Sequence, residues 1–195
     1  DRLLAMGLPI RLVDIGGGLG IRYSDELPPH PQEYADAGGE AFRRRPVTLV
    51  LEPGRGLVGD AGVLVTELLY TKPIPAPGGK GRKYFFIVDA AMNDLARPSL
   101  YGSYHAILPV GKAPRGRVTA DVVGPICESG DFLARDRALP PYAAGDLLAV
   151  MSAGAYGFSM SSNYNTRPRA AEVMVSGSRF EVVRERETVR DVFRA

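Results

Sequence analysis

The chain has one cysteine, Cys127, so no internal disulfide framework is available to it. That thiol either packs as a small hydrophobe or does chemistry. An excess of charge of either sign is missing too. Lys+Arg number 24 against 22 Asp+Glu, a net charge of +2, which leaves no electrostatic footprint for nucleic acid or an anionic membrane surface. No apolar run approaches the ~18 residues of a membrane span, and no signal peptide is visible. The expected location is therefore cytoplasmic, and no metal site is expected. Repeats, heptads and low-complexity tails are also missing. There is no initiator Met and no opening strand. Asp1–Gly7 reads as the last turns of a helix capped by Gly7, which predicts the later part of a longer polypeptide.

What remains is ordinary globular material, 45% hydrophobic and 24% charged over 195 residues, enough for one large domain or two small ones. Its organising stretch is Val47–Gly62. A β-branched apolar run, Val47–Leu51, reads as a buried strand and stops at Glu52-Pro53-Gly54-Arg55. Charged turns at the C-terminal ends of parallel strands are where α/β folds keep their chemistry. Arg55 supplies a planar fork for a carboxylate or phosphate, and the glycines let backbone approach an anion. Upstream, the strand Ile10–Ile15 runs into Gly16-Gly17-Gly18, an anion-binding nest by the same reasoning. Between the two, Pro31–Arg45 reads as a helix with Tyr34, Ala37, Ala41 and Phe42 on its inner face. Strand, glycine turn, helix, strand and charged turn make a βαβ unit.

Beyond Gly62 the pattern becomes short strands. They are Val63–Tyr70, Tyr84–Asp89, Ala106–Val110, Val118–Val123, Leu147–Val150, and Glu172–Val175 with a return at Phe180–Val183. Pro73–Lys83 reads as an exposed hairpin loop, and Glu187–Arg194 as a short helix. This predicts an antiparallel β-barrel or sandwich over 63–195, after an α/β portion over 1–62. The second portion carries three clusters. Met92–His105, containing Arg97-Pro98-Ser99-Leu100-Tyr101-Gly102, is an aromatic and basic loop whose Arg97 and Tyr101 suit an anion. Gly124–Asp131 sets the only thiol, Cys127, beside Glu128 in a Gly-, Pro- and acid-rich turn. Ser152–Gly157 presents one aromatic, Tyr156, among small residues.

In this order, Gly-Gly-Gly-Leu-Gly, Glu-Pro-Gly-Arg, Arg-Pro-Ser-Leu-Tyr-Gly, Cys-Glu-Ser-Gly-Asp and Ala-Gly-Ala-Tyr-Gly resemble the pyridoxal-phosphate-dependent decarboxylases of the alanine-racemase-like fold, from residue 10 to about residue 170. The third and fourth motifs favour the branch acting on meso-diaminopimelate, which yields lysine, over the ornithine and arginine branches. The resemblance implies that 1–62 is the last part of a (β/α)8 barrel and that 63–195 completes the active site and a dimer interface. Gly16, Gly17, Gly18, Glu52, Pro53, Gly54 and Arg55 would hold the pyridoxal 5'-phosphate, with Tyr156 lining it. Arg55 and Tyr156 would also meet the substrate. Arg97, Tyr101 and Glu128 would bind its distal ammonium and carboxylate. Cys127 would donate a proton, reaching with Glu128 into the neighbouring site of a homodimer.

The family also needs a Schiff-base lysine on an early barrel strand. Lys72, Lys80, Lys83 and Lys112 all lie in the second portion, so that lysine is expected upstream of Asp1. Two alternatives stay open: a related decarboxylase acting on ornithine, arginine or carboxynorspermidine, and a truncated, non-catalytic partner chain.

Overall fold

A computed structural model of the chain describes residues 1–79, 81–112 and 115–193. The first elements are helix α1 (Arg2–Ala5), strand β1 (Leu12–Asp14), helix α2 (Pro31–Phe42) and strand β2 (Thr48–Val50). β1 and β2 pair in parallel, Leu12 opposite Thr48 and Asp14 opposite Val50, so the expected βαβ unit forms. α2 starts on a reciprocal cap. His30 accepts from the Gln32 amide, Glu33 takes the His30 amide, and Pro31 fills the first turn. Its inner face differs from the expected one. Ala37 and Ala41 are exposed, and the row turned inward is Tyr34, Gly38 and Phe42. Gly38 is the contact point, because a Cβ there would press on Leu49 at 3.3 Å and Ile15 at 3.4 Å. A glycine that weakens the helix on propensity is what lets it lie close to the strands.

After helix α3 (Gly54–Val58) and a 3₁₀ turn (Gly59–Ala61) the chain enters a six-stranded sheet. Its strands are β3 (Leu64–Pro75), β4 (Arg82–Val88), β5 (Ile107–Pro109), β6 (Val118–Val123), β7 (Phe132–Leu139) and β8 (Leu147–Val150), in the order β5-β8-β3-β4-β6-β7. β3 serves two partners. Leu64–Glu67 pair with β8, the ladder to β4 begins at Leu68, and a bulge lies between Leu68 and Tyr70. Bulges bend and twist a strand, and this one lets the sheet curl barrel-like around one core that includes Leu68, Phe86, Val88, Leu95, Val122, Leu133, Leu148 and Val150.

Four details depart from the sequence reading. The sheet is mixed, since β4 and β6 are parallel. β3 runs on to Pro75, shortening the expected hairpin loop, and Lys80 of that loop lies outside the described residues. β7 was not expected, because Arg135, Asp136 and Arg137 break its apolar pattern. The segment around Arg97 is not a loop but a short helix, α4 (Arg97–Tyr101). Last come the hairpin β9 (Glu172–Ser176) and β10 (Arg179–Arg184), turning at Gly177 with φ 61°, and helix α5 (Val189–Val192). Arg194, the expected end of that helix, is outside the described residues. No described helix is long and apolar enough to cross a membrane.

Candidate active site

The two turns after β1 and β2 abut. The Glu52 amide donates to the Gly16 carbonyl at 2.9 Å, and a Cβ on Gly17 would lie 2.7 Å from the Glu52 carbonyl oxygen. Gly16 and Gly18 have φ of 74° and 102°, a region that favours glycine, and Asp14 Oδ1 accepts from the Gly16 amide at 2.7 Å. The Tyr34 hydroxyl donates to the Gly17 carbonyl and ties α2 to the same turn. The Glu52 side chain is exposed, while Pro53 and Arg55 are half-buried.

Arg55 projects from α3 toward the second portion of the chain. Its guanidinium carbon lies 5.5 Å from the ring centroid of Tyr156, within cation–π range. Tyr156 has φ 59° between Ala155 and Gly157, and its 44% exposure leaves the ring face available. Arg55 and Tyr156 share a cleft of about 390 Å³ with Arg97, Tyr101, Ser103 and Met160. Four of the expected site residues thus meet in one cavity, joined by Ser103 and Met160, which were not expected there.

α4 brings Arg97 and Tyr101 to the same cleft. Pro98 sits in its first turn, Gly102 ends it at φ 61°, and residues four apart share a helix face. Tyr101 is 68% exposed, but Arg97 is only 7% exposed. No carboxylate among the described residues pairs with Arg97. Its guanidinium carbon lies 4.7 Å from the Tyr23 ring centroid, and its Nη1 is 3.0 Å from Nε2 of fully buried His105. His105 Nδ1 is 2.8 Å from the Met151 carbonyl, and the Tyr23 and His105 rings meet edge-on at 5.3 Å. Burial pushes the His105 imidazole below the usual histidine range. The Met151 carbonyl opposes that shift, and the charges of Arg97 and Arg137 add to it. Tyr23 and His105 were missed. The only sequence signal was a histidine eight residues past Arg97, at the end of an aromatic run.

Cys127 and Glu128 do not line this cleft. They lie exposed in the irregular turn between β6 and β7. Asp131 holds that turn. Its Oδ2 accepts from the Ile126 amide and its Oδ1 from the Met92 amide, each at 2.7 Å. Burial raises the Asp131 carboxyl above its ordinary range, and the two amides oppose the rise. Glu128 accepts from the Gly130 amide at 3.2 Å and the Tyr164 hydroxyl at 3.4 Å. The Ser99 hydroxyl donates to the Gly130 carbonyl, so α4 and the thiol-bearing turn are linked. No group of three or more His, Cys, Asp and Glu fit to hold a metal occurs among the described residues.

Arg55, just past the second of two parallel strands, thus faces Tyr156, which follows the last strand of the curled sheet. The chain belongs to the pyridoxal-dependent decarboxylases, matching the description "Pyridoxal-dependent decarboxylase, C-terminal sheet domain" over residues 13–154. It is 55% identical to a diaminopimelate decarboxylase of Pseudomonas aeruginosa over 99% of this chain and 45% of that protein. With a namesake from Aquifex aeolicus it shares 50% identity over 96% of this chain and 43% of the relative. The crystal structure of Helicobacter pylori diaminopimelate decarboxylase complexed with L-lysine superposes with a TM-score of 0.86 at 40% identity, covering 98% of this chain and 46% of that one. The chain therefore spans a little under half the length of these relatives.

Proposed function

We propose that residues 1–195 are the C-terminal portion of a pyridoxal-phosphate-dependent enzyme that decarboxylates meso-diaminopimelate to L-lysine. In this reading residues 1–62 are the end of a (β/α)8 barrel, and 63–195 are the sheet domain that completes the site and a homodimer interface. The observation that carries it is the pair of guanidiniums, Arg55 and Arg97, lining one 390 Å³ cleft. The substrate has two carboxylates, one lost and one kept, and each guanidinium suits one. The L-lysine bound to the Helicobacter pylori relative supports the choice of product.

The residues present fit the cofactor by the chemistry of their donors. The Gly16–Gly18 turn and the Glu52-Pro53-Gly54-Arg55 turn offer backbone and guanidinium donors for a phosphate, and Tyr156 an aromatic face for a ring. When bound, pyridoxal phosphate supplies the electron sink that decarboxylation requires. The chain's own residues do the rest. Arg55 orients the departing carboxylate near the cofactor. Arg97 and Tyr101 hold the distal carboxylate, fixing which α-carbon reacts. As the bond to the carboxylate breaks, CO₂ leaves and the electron pair stays behind. The Cys127 thiol, serving the neighbouring subunit's site, delivers the proton that replaces the carboxylate, and Glu128 pairs with the distal ammonium there. A cytoplasmic site of action goes with this biosynthetic role. The test is product analysis with the full-length enzyme. L-Lysine and CO₂ from meso-diaminopimelate are expected, with little turnover of ornithine or arginine. Preference for either of those would overturn the substrate assignment.

A further inference from the structure

His105 contacts two groups whose hydrogen-bonding roles are fixed. A guanidinium only donates, so Arg97 Nη1, at 3.0 Å, requires an unprotonated Nε2. A carbonyl only accepts, so the Met151 oxygen, at 2.8 Å, requires a hydrogen on Nδ1. One species meets both demands, the neutral imidazole with its proton on Nδ1. Protonation would turn Nε2–H against the Arg97 N–H and set a cation beside a buried cation.

We propose that His105 is the positioning residue that aims Arg97 into the cleft, and that it does so only while neutral, so that its proton gates binding of the ligand carboxylate. This rests on the reading of Arg97 as the residue that meets that carboxylate. Among the described residues, the ring nitrogens of His105 meet only Arg97 and the Met151 carbonyl. The residue is fully buried. Arg97 of α4 faces it on one side, and the Tyr23 ring closes edge-on at 5.3 Å on another. The Met151 carbonyl, just past β8, takes Nδ1. Arg137 of β7 donates from Nη1 to the His105 carbonyl at 3.3 Å, while its guanidinium lies over the Tyr104 ring. Of the titratable groups among these, both arginines are cations that disfavour a second positive charge, and no carboxylate among the described residues faces the His105 ring. Burial works in the same direction, so the neutral form persists through neutrality and yields only on acidification.

Two substitutions separate the contacts. His105→Gln can place an amide oxygen near the Nε2 position and go on accepting from Arg97. His105→Asn can place its amide nitrogen near Nδ1 and go on donating to Met151, but it has nothing for Arg97. The experiment measures KM and kcat of the full-length holoenzyme for meso-diaminopimelate, from about pH 5 to 8, in wild type, both His105 variants and Arg97→Ala. A hydrogen bond to a charged group is worth a factor on the order of 10 to 100 in affinity. His105→Asn is expected to raise KM by about that factor, with kcat nearly unchanged, because a distal carboxylate is held equally in ground and transition states. His105→Gln is expected to keep KM near wild type at neutral pH and to lose the wild type's rise in KM on the acid side. If Arg97→Ala raises KM but the two His105 variants behave alike, or wild type and His105→Gln share one acid limb, the positioning role is overturned. An Arg97→Ala enzyme with unchanged KM would instead overturn the reading of Arg97. Should the variants fail to fold, a ¹⁵N-histidine spectrum of the wild-type holoenzyme at neutral pH decides. A neutral Nδ1–H tautomer for His105 supports the proposal, and an Nε2–H tautomer or a cation sinks it.

Discussion

Gly62 and Gly154 meet backbone to backbone, and that contact sets Arg55 opposite Tyr156. A Cβ on Gly62 would lie 2.6 Å from the Gly154 Cα, and one on Gly154 would overlap the Val58 carbonyl oxygen. Hydrogen bonds of 2.8 Å from the Ala153 amide to the Gly62 carbonyl and 3.0 Å from the Gly154 amide to the Gly59 carbonyl close the seam. The Ser152 hydroxyl adds one to Asp60 at 2.7 Å. Overpacking a fitted contact costs roughly 1–3 kcal/mol. Gly154→Ala should lower the melting temperature of the full-length enzyme and weaken pyridoxal phosphate binding, read by absorbance titration. Unchanged stability and cofactor affinity would mean that the seam does not align the site.

That seam also marks the limit of what the residues disclosed in order. The βαβ unit was legible because periodicity and turn residues are local, and so was the hairpin turn at Gly177. The parallel pairing of β4 with β6 was not, since strand order depends on which edges meet after folding. β7 was hidden by Arg135 and Arg137, whose guanidiniums lie over Phe132 and Tyr104, 3.8 and 3.5 Å from the ring centroids. Charged residues stacked on aromatics do not register as strand pattern. Arg55, Arg97, Tyr101 and Tyr156 were readable as motif residues and converge in the cleft. Tyr23 and His105 both contact Arg97, but Tyr23 comes from the first portion of the chain, and nothing in the residues around His105 says which neighbour its ring will meet.

Cys127 lies outside the cleft of its own chain, as a residue serving a neighbouring subunit would. In the full-length enzyme, Cys127→Ala should bind cofactor normally and turn over ~10²–10⁴-fold more slowly, the usual worth of a placed proton donor. Mixing it with a variant lacking the cofactor-attaching lysine should restore part of the activity through hybrid dimers. No recovery despite demonstrated subunit exchange would argue against a shared site.

Acid should destabilise the fold through His105. Its folded-state pKa lies below the ordinary 6.5, so between the two values the unfolded chain binds the proton that the folded chain refuses. Stability is therefore full above about 6.5 and is lost as pH falls through the depressed value. Thermal melts of wild type and His105→Gln across this window should diverge on the acid side, the variant showing the shallower slope. Parallel curves would show that His105 contributes no proton linkage.

The 195-residue chain by itself should neither release CO₂ from diaminopimelate nor trap cofactor on borohydride reduction. Among the described residues, no lysine lines the cleft. Lys83 is held by Asp121 at 2.8 Å and Asp136 at 2.6 Å, which raises its pKa and makes it a poor nucleophile. A reduced cofactor adduct on any of its lysines, found by mass spectrometry, would refute this.

If Arg97 reads the distal carboxylate, kcat/KM for meso-diaminopimelate should fall in full-length Arg97→Ala. Removing one partner of a buried charge pair costs roughly 2–5 kcal/mol, so the loss should be about 30-fold to a few thousandfold. Competition supplies the internal control. L-Lysine, seated with its side-chain amine at the cofactor, presents a distal carboxylate, and cadaverine does not. Inhibition by lysine should therefore weaken in the variant while inhibition by cadaverine holds. Undiminished kcat/KM, or equal loss of inhibition by both amines, would show that Arg97 does not hold the distal carboxylate.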